Sequence, residues 1–515
     1  MGLLRLTGSA IATAAVVIAP NAARAQVRDG ATPAVAAPLV SQRMSDFGSE
    51  AIDVDVPAGN QVIADIQVRF IDEEQPVEGK TRDYVITREF DLSVGDRYDA
   101  ALAARGLQRL ENLDIVGSAA VTLEPAADPE QVVMVITVDE RNPFPITFGL
   151  TLPHPAALQG VTVPDTVLPG TDRSGGTLLG FRVERPNLGG NNQTLALGIE
   201  GGEDTFNYSF SFTDPWIGGD PNRTGYSVNF FNSREVSTIF DGGDDLELSN
   251  DRDPWVHRIG GGFDFFRPLS SDFAIATGAS FQRVSVRDSI VTDDIFTVDE
   301  DGNELTVSDE GRDNLFTVSF SGALDRRDAP QYTTEGYRLL FRSDQYIPVG
   351  ASSIAGNRLS ANYTHYLPAP LFGFDDGPRT LVFNVQGGTF IGDLPPYEAF
   401  ALGGGSSVRG YDAGELGSGR SFLQATVEYR FPIFDFIAFE EDIDVGGTLF
   451  VDYATDLGSG DTVLGEPAEV RNKPGDGVGF GAGLRARTPV GPARLELSIN
   501  DEGESEVIFT IGDRF

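Results

Sequence analysis

The chain has 515 residues, no cysteine and a formal net charge of −39 at pH 7. Without cysteine there is no disulfide framework and no thiolate metal site, and the acidic balance excludes nucleic acid, whose phosphates are bound by Lys and Arg. The histidines are too scattered in the sequence to predict a metal cluster: His154, His257 and His365.

The first 25 residues have the pattern of a signal peptide. Arg5 supplies the positive start, residues 11–19 form a short apolar core, and Ala23-Arg24-Ala25 is a small-residue cleavage site. No later stretch approaches the roughly 18 apolar residues of a membrane helix. We therefore expect an exported protein without a helical anchor. Residues 26–60, rich in Ala, Pro and Ser, are predicted to be a linker.

Residues 61–141 predict a small α/β domain. The segment VIADIQVRF (62–70) alternates apolar and polar side chains, as a half-buried strand does. Thr81 is placed to cap a short helix, and a second helix carries one apolar stripe. The segments GSAAVTLEP and VVMVITVDE follow as strands. The predicted order is strand, helix, helix, strand, strand.

Residues 143–515 have an almost unbroken strand pattern, with about sixteen strands by the alternation rule. In RSFLQATVEYRF (420–431), apolar and polar side chains alternate, so one face is apolar and the other polar. A soluble sandwich buries the apolar face, whereas a membrane barrel turns it to lipid. Periodicity does not separate the two, but an even strand count, turns that alternate with long acidic loops, and the export signal favour the barrel.

The sequence carries no motif typical of an enzyme. The EGKT at 78–81 resembles the end of a phosphate-binding loop, but Glu74 stands where that loop needs glycine, and neither G-x-S-x-G nor H-E-x-x-H occurs. We therefore predict no enzymatic activity, no cofactor and no metal site. The acidic runs 241–253 and 292–313 are interpreted as solvated loops, with cation binding as the alternative. Trp216 is either an interfacial aromatic or a packing residue of its turn.

The segment SSVRGYDAGELGSGRS (406–421) places one arginine in a glycine-rich loop. If this loop enters the barrel, Arg409 needs an anionic partner. Asp452 is one candidate, because the alternation in GTLFVDYATD puts it opposite the apolar face of its strand, and Glu428 is a second. The alternative is an exposed loop with an ordinary surface arginine. The residues alone leave both interpretations open.

Several segments together resemble the BamA/TamA outer-membrane assembly family. They are the α/β unit, VRGY in a long loop before the twelfth strand, VDYATD, GVGFGAGLRARTPVGPARLEL and a terminal DRF. The amino-acid sequence around the loop is especially similar to that of cyanobacterial and chloroplast outer-envelope members of the family. The resemblance covers residues 61–515. It implies a periplasmic POTRA domain at 61–141 and a sixteen-stranded outer-membrane β-barrel at 143–515, that is, a mostly β fold preceded by a small α/β domain.

The resemblance implies that the protein inserts β-barrel proteins into the outer membrane or moves polypeptides across it, without a cofactor. The implied partners are the lipid bilayer, unfolded barrel or secreted client polypeptides, and periplasmic chaperones or accessory proteins. The POTRA domain would guide clients to a seam between the first and last strands, around 146–152 and 507–511, where an incoming strand pairs by β-augmentation.

The resemblance also implies site residues. The VRGY arginine would dock on a lumen motif that here reads Phe450, Asp452 and, in place of its final glycine, Ala454. The implied latch residues are Val408, Arg409, Gly410, Tyr411, Phe450, Asp452 and Glu428. The implied residues of the assembly signal and gate strand are Val507, Phe509, Ile511 and Phe515.

One α/β unit is fewer than in the main assembly factors, which carry three or five, so the resemblance favours a reduced paralogue that serves a subset of clients. A two-partner secretion transporter is the first alternative, although it would carry two such units and a plug helix. A passive porin or surface antigen is the second. A porin needs neither the N-terminal unit nor a docked VRGY loop.

Overall fold

The computed structural model describes residues 61–141 and 179–515 together with the short strand Ile146–Gly149, apart from brief gaps. The gaps are 73–74, 203, 221, 245, 293, 330–331, 351–352, 439–440 and 489–490. The predicted signal peptide and linker, residues 1–60, lie outside the described part. Within it, no helix is long and apolar enough to cross a membrane.

The N-terminal unit has the predicted order with one additional short strand. Its sheet has the strand order β2-β1-β4-β3, with β1 and β4 parallel and β3 antiparallel to β4. The helices cover one face and bury an apolar core that includes Ile63, Ile86, Leu110 and Met134. The elements are β1 (Val62–Asp72), β2 (Gln75–Val77), α1 (Asp83–Thr87), α2 (Ala100–Glu111), β3 (Val116–Pro125) and β4 (Gln131–Glu140).

The predicted helix cap at Thr81 is wrong. Helix α1 begins at Asp83, and Arg82 stands at its N-cap without a side-chain capping bond. The Thr81 hydroxyl oxygen, which would have to cap the helix, instead accepts from Asn187 Nδ2 at 2.8 Å, and the Thr81 N–H donates to the Glu140 carboxylate at 2.6 Å. Helix α2 is capped in the usual way by Asp99, whose carboxylate accepts from two backbone N–H groups.

Sixteen strands among the described residues form the barrel, and a further two-residue strand, β12, is added at its rim. Neighbouring strands pair antiparallel, each with the next in sequence, as in a meander. The strands are β5 (Ile146–Gly149), β6 (Leu179–Arg185), β7 (Thr194–Gly201), β8 (Thr205–Asp214), β9 (Gly225–Val236), β10 (Trp255–Pro268), β11 (Phe273–Arg287), β12 (Ile295–Phe296), β13 (Asp313–Asp325), β14 (Gly336–Ile347), β15 (Gly356–Pro368), β16 (Thr380–Gly392), β19 (Ser421–Ala438), β20 (Glu441–Thr455), β21 (Asp476–Thr488), β22 (Gly491–Asn500) and β23 (Ser505–Ile511). A small hairpin in the loop before β19 supplies β17 (Phe400–Leu402) and β18 (Gly417–Gly419).

The two faces of β19 decide between a sandwich and a membrane barrel. Leu423 and Val427 are 42% and 43% exposed, whereas Gln424 and Glu428 on the other face are fully buried. Apolar side chains therefore face outward and polar ones inward, the reverse of a soluble protein and the pattern of a barrel in lipid. The mostly β, sixteen-stranded fold predicted from the sequence is confirmed.

The barrel has two different ends. The N-terminal unit contacts the turns at one end, between β6 and β7 and between β8 and β9. The long loops lie at the other end, where they pack on one another around an apolar cluster that includes Phe240, Leu248 and Leu305.

Parts of the acidic runs 241–253 and 292–313 belong to this packed layer, since Leu248 and Leu305 are buried in it, whereas residues 249–253 are exposed, as expected of a solvated loop. Arg471 Nε donates to the Phe240 carbonyl at 2.8 Å, and Lys473 Nζ donates to the carbonyl groups of Ile239 and Asp241, each at 3.0 Å. Cations of the β20–β21 loop thus bind the β9–β10 loop. Among the described residues, no group of three or more acidic or histidine side chains is arranged to hold a metal ion.

Candidate functional site

The glycine-rich loop between β16 and β19 enters the barrel. Its first part is held by Glu398, which accepts from Arg258 at 2.5 Å and from the Tyr346 hydroxyl at 2.8 Å. The rest packs its apolar side chains against the inner wall: Phe400, Leu402, Val408, Tyr411, Leu416, Phe422 and Ala454 form one buried cluster. The segment is an internal element rather than an exposed loop. Ala454, which replaces the motif's glycine, is part of this apolar contact.

Arg409 lies at the centre of the site, with its side chain fully buried. Its Nε donates to Asp452 Oδ2 at 2.7 Å and its Nη2 to Oδ1 at 3.0 Å, a bidentate pair. Its Nη1 reaches Glu428 Oε2 at 3.1 Å and Glu496 Oε1 at 2.9 Å. The guanidinium also lies over the Phe450 ring, 3.3 Å from the centroid. Both candidate partners named from the sequence, Asp452 and Glu428, contact this arginine.

The three carboxylates around Arg409 are shared with further arginines. Arg514 Nη1 binds Asp452, Arg430 Nε binds Glu428 at 2.7 Å, and Arg494 lies 3.5 Å from Glu496. Buried charges are costly unless they are paired, and here each carboxylate has at least two cationic neighbours. Such saturated pairs hold an element in place and leave no carboxylate free to act as a general base.

Glycines on β21 leave the space in which the loop lies against the barrel wall. A Cβ atom on Gly479 would lie 2.0 Å from the Arg409 carbonyl oxygen, and one on Gly481 would lie 2.6 Å from Phe450 Cζ. A Cβ on Gly477 would lie 2.6 Å from the Tyr411 hydroxyl oxygen. The alternate glycines of GVGFGAG therefore form a smooth inward-facing track. This pattern was visible in the sequence, but its partner was not.

Gly410 is the point of closest approach on the loop side. Its φ is 104°, in the region that favours glycine, and a Cβ there would lie 2.9 Å from the Asn500 backbone nitrogen. Asn500 Nδ2 donates to the Gly410 carbonyl at 3.0 Å. The neighbouring Tyr411 hydroxyl donates to Asp501 at 2.5 Å. The VRGY segment is thus also bound to the turn that joins β22 to β23.

The C-terminal residues turn into the barrel after the last strand. Strand β23 ends at Ile511, so the expectation that it continues to Phe515 is wrong, because Gly512 has a φ of 116° and redirects the chain. Asp513 then binds Arg430 and Arg485, at 2.9 and 2.8 Å. The Phe515 carbonyl accepts from the Tyr366 hydroxyl at 3.2 Å.

The expected gate strands are neighbours in the strand order, which places β23 beside β5. On β23, Val507 and Phe509 are 66% and 55% exposed and face outward, whereas the side chain of Ile511 is outside the described part. Strand β5 is four residues long and pairs with β6 from Ile146 to Gly149. The predicted seam residues 150–152 also lie outside the described part.

The N-terminal unit binds the barrel through helix α1 and its flanks. The Arg82 N–H donates to the Gly190 carbonyl at 2.9 Å, and the Tyr84 hydroxyl donates to Asn191 at 2.9 Å. Arg88 Nη1 donates to the Trp216 carbonyl at 3.1 Å. We call this contact the clasp. It joins α1 to the β6–β7 and β8–β9 turns.

Trp216 is the centre of the clasp and packs within its turn. The guanidinium groups of Arg88 and Arg223 both lie over its ring, 4.8 and 4.9 Å from the ring centroid, and its indole N–H donates to the Asp220 carbonyl at 2.7 Å. Of the two interpretations of this tryptophan, the structure shows the packing role. Sequence reasoning missed Arg88 because it lies 128 residues away in the chain. It missed Arg223, seven residues after the tryptophan, because the alternation pattern does not show how the turn folds.

Burial also shifts the pKa values of two side chains at the clasp, Arg88 and Glu89. Burial lowers the pKa of the Arg88 guanidinium, against the opposing effect of neighbouring Glu89. Burial likewise raises the pKa of the Glu89 carboxyl, and the nearby cations Arg223, Arg88 and Arg109 offset part of this rise. The closest atoms of Arg223 and Glu89 are 3.9 Å apart, at the outer limit of an ion pair.

Comparison with known proteins identifies the fold family. The Omp85 superfamily domain matches residues 187–515. Outer envelope protein 80, chloroplastic, of Arabidopsis thaliana is 29% identical over 463 residues, which are 88% of this chain and 57% of that protein. Protein TOC75, chloroplastic, of Pisum sativum is 27% identical over 493 residues, 88% of this chain and 56% of its own length. The chain thus spans less than two thirds of these relatives.

Two solved structures share the fold. BamA from Haemophilus ducreyi lacking POTRA domains 1–3 aligns with a TM-score of 0.58 and 16% identity over 87% of this chain and 83% of that one. CdiB from Acinetobacter baumannii aligns with a TM-score of 0.51 and 15% identity over 87% and 73% of the two chains.

Proposed function

The chain belongs to the Omp85 superfamily, and on that premise we propose that this outer-membrane barrel inserts β-barrel proteins into the membrane or moves polypeptides across it. The observation that carries the proposal is Arg409, buried inside the barrel and bonded to strands β19, β20 and β22. A passive pore, whose strands stay paired, does not need its wall strands tied to one another through a buried charged loop. A gate does, because a strand pair that opens needs the rest of the wall held in register.

The position of the loop relates it to the seam. Arg409 binds Asp452 on β20 and Glu496 on β22, and the following Gly410 and Tyr411 bind Asn500 and Asp501 next to β23. The loop therefore holds together the strands on the C-terminal side of the seam. In the proposed mechanism, this side stays rigid while a client strand pairs by β-augmentation at the edge offered by β23 or β5.

The N-terminal unit, residues 61–141, is proposed to be a POTRA-like domain on the periplasmic side. Its strand β3 stands at one edge of the sheet and, among the described residues, pairs only with β4. The other edge of β3 can accept a strand of an unfolded client. The clasp places this domain next to the turns of the first strands. No cofactor enters the proposed mechanism, since pairing of backbone groups drives the insertion of strands.

The test is client assembly in vesicles of defined lipid. The full chain is reconstituted, an unfolded β-barrel client is added on the side of the N-terminal unit, and its folded fraction is followed by resistance to protease. We expect faster assembly than in vesicles without the protein. Steady ion conductance with no change in client assembly would instead assign the protein to the porin class.

The same preparation separates insertion from secretion. A two-partner secretion transporter would carry a secreted polypeptide into the vesicle lumen or out of it, and would leave the folding rate of a barrel client unchanged. The fold, which is shared with BamA and with CdiB, does not separate the two activities. A barrel client and a secreted client are therefore assayed in parallel with the same vesicles.

A further inference from the structure

The turn between β15 and β16, residues 369–379, lies on the outer face of the barrel. It covers Tyr429. The pairing of β19 with β16 has no bulge, so Tyr429 lies on the same outward face of β19 as Leu423 and Val427. The Tyr429 hydroxyl donates to the Phe372 carbonyl at 2.6 Å and accepts from the Phe372 N–H at 3.1 Å. The Phe374 N–H donates to the Pro432 carbonyl at 2.9 Å. We call this segment the strap.

The strap is fixed to the barrel by aromatic packing as well. The Phe372 ring lies 4.9 Å from that of Tyr429 and 4.8 Å from that of Phe431, and the Phe374 ring lies 6.0 Å from Phe431. These are ordinary distances for interacting aromatic pairs. The strap therefore has a defined position on the wall and is not a loosely attached turn.

The outer surface of the strap is strongly apolar. Leu371 is 69% exposed, Phe372 45% and Phe374 75%. A soluble protein rarely leaves three such neighbours in water. The next residues change character at once, since Asp375 and Asp376 follow, and Arg379 Nη2 donates back to the Asp375 carbonyl at 2.9 Å. The strap thus has an apolar half and a charged half.

The apolar half continues the lipid-facing surface of the barrel. The strands on which it lies expose Leu367 on β15 and Phe383 on β16 to the outside, and an aromatic group of Tyr337, Tyr363 and His365 borders the same region. Aromatic side chains collect where the hydrocarbon meets the headgroups. The apolar half of the strap extends the lipid-facing wall at the rim of the barrel, so the nearest apolar material outside the protein is lipid.

We propose that the strap is a membrane-surface anchor, in which Leu371, Phe372 and Phe374 enter the boundary between acyl chains and headgroups while Asp375 and Asp376 remain in water. The partner is therefore lipid, in the leaflet on the side of the N-terminal unit. Such an anchor determines the depth of the β15–β16–β19 wall in the bilayer. This inference is independent of the proposed function in protein insertion.

The absence of cysteine from the sequence allows a direct test. Phe374→Cys and its matched control Asp376→Cys, two residues further along the same turn, are each labelled with a nitroxide and reconstituted as the full chain in phosphatidylcholine vesicles. Power saturation then compares collisions with oxygen, which concentrates in lipid, and with a water-soluble nickel chelate. A heat-shifted gel band shows that each variant is folded.

We expect label 374 to be relaxed mainly by oxygen and label 376 mainly by the chelate. Equal access of the chelate to both labels would overturn the proposal. Dipolar broadening of label 374 that grows with the protein-to-lipid ratio would assign the patch to a second copy of the chain and would also overturn it.

Discussion

Arg514 Nη1 lies 3.0 Å from both carboxylate oxygens of Asp452, the same carboxylate that Arg409 binds. The end of the chain and the internal loop therefore meet on one residue of β20. Because β23 leads directly to this contact, a displacement of the last strand would be transmitted to the loop through Asp452. The proposed gate strand and the latch are thus one connected structure.

The first prediction concerns Arg409→Gln. The change leaves Asp452, Glu428 and Glu496 in the barrel with one cation fewer, and breaking a buried pair typically costs about 3–5 kcal/mol. We expect a lower urea midpoint of the reconstituted barrel and slower client assembly. Arg312→Gln, which removes an exposed arginine of a long loop, serves as the control. Unchanged stability and unchanged assembly for Arg409→Gln would show that the buried network does not hold the wall.

The second prediction ranks the carboxylates. Asp452→Asn weakens the ion pairs that Asp452 makes with both Arg409 and Arg514. Glu496→Gln removes the charge of only one of the three acidic partners of Arg409. We expect Asp452→Asn to lower the urea midpoint more than Glu496→Gln. The double variant Arg409→Gln with Asp452→Asn should lose less than the sum of the single changes, because both remove the same interaction. Strict additivity would contradict a direct coupling.

The third prediction concerns Gly479→Ala. The new methyl group would lie 2.0 Å from the Arg409 carbonyl oxygen, so either the loop or β21 must move. Ser407→Cys, buried in the native structure, supplies a reporter for this movement. A maleimide should label it slowly in the native background and faster when Gly479→Ala is present. Val478→Ala, on the opposite face of the same strand, is the control and should leave the labelling rate unchanged.

Sequence reasoning reached those parts of the fold that depend on local pattern. The alternation around Glu428 and Asp452 placed both side chains on the inner face, and the sixteen strands followed from repetition of the same pattern. The contacts of Arg514 and Asp513 did not follow, because they depend on which strands become neighbours and on the turn at Gly512. The glycine track on β21 was present in the sequence, but only the docked loop shows why its alternate positions need to lack a side chain.

The fourth prediction concerns the clasp. Trp216→Ala removes the ring that both Arg88 and Arg223 contact, and each cation–π contact contributes about 0.5–1 kcal/mol at partly exposed sites. We expect hydrogen exchange in α1 to become roughly 5–30-fold faster, since 1–2 kcal/mol corresponds to that range. Trp255→Ala removes the same side chain at the opposite end of the barrel and should not change exchange in α1. An unchanged exchange rate in Trp216→Ala would show that the backbone contacts alone hold the domain.

The fifth prediction concerns the pH dependence of the same contact. Burial raises the pKa of Glu89 above that of an unfolded chain, about 4.3, so the folded domain favours the protonated carboxyl. This stabilising contribution is complete below the unfolded pKa and is lost as the pH rises through the folded value. At pH 7 the charged form of Glu89 therefore lowers the free energy of unfolding. Because Glu89→Gln cannot ionise, it should protect α1 from hydrogen exchange at least as well as the native residue does. The two proteins should exchange equally when compared below pH 4, where both side chains are neutral. Faster exchange of Glu89→Gln at pH 7 would mean that attraction to Arg223, 3.9 Å away, outweighs the cost of burial.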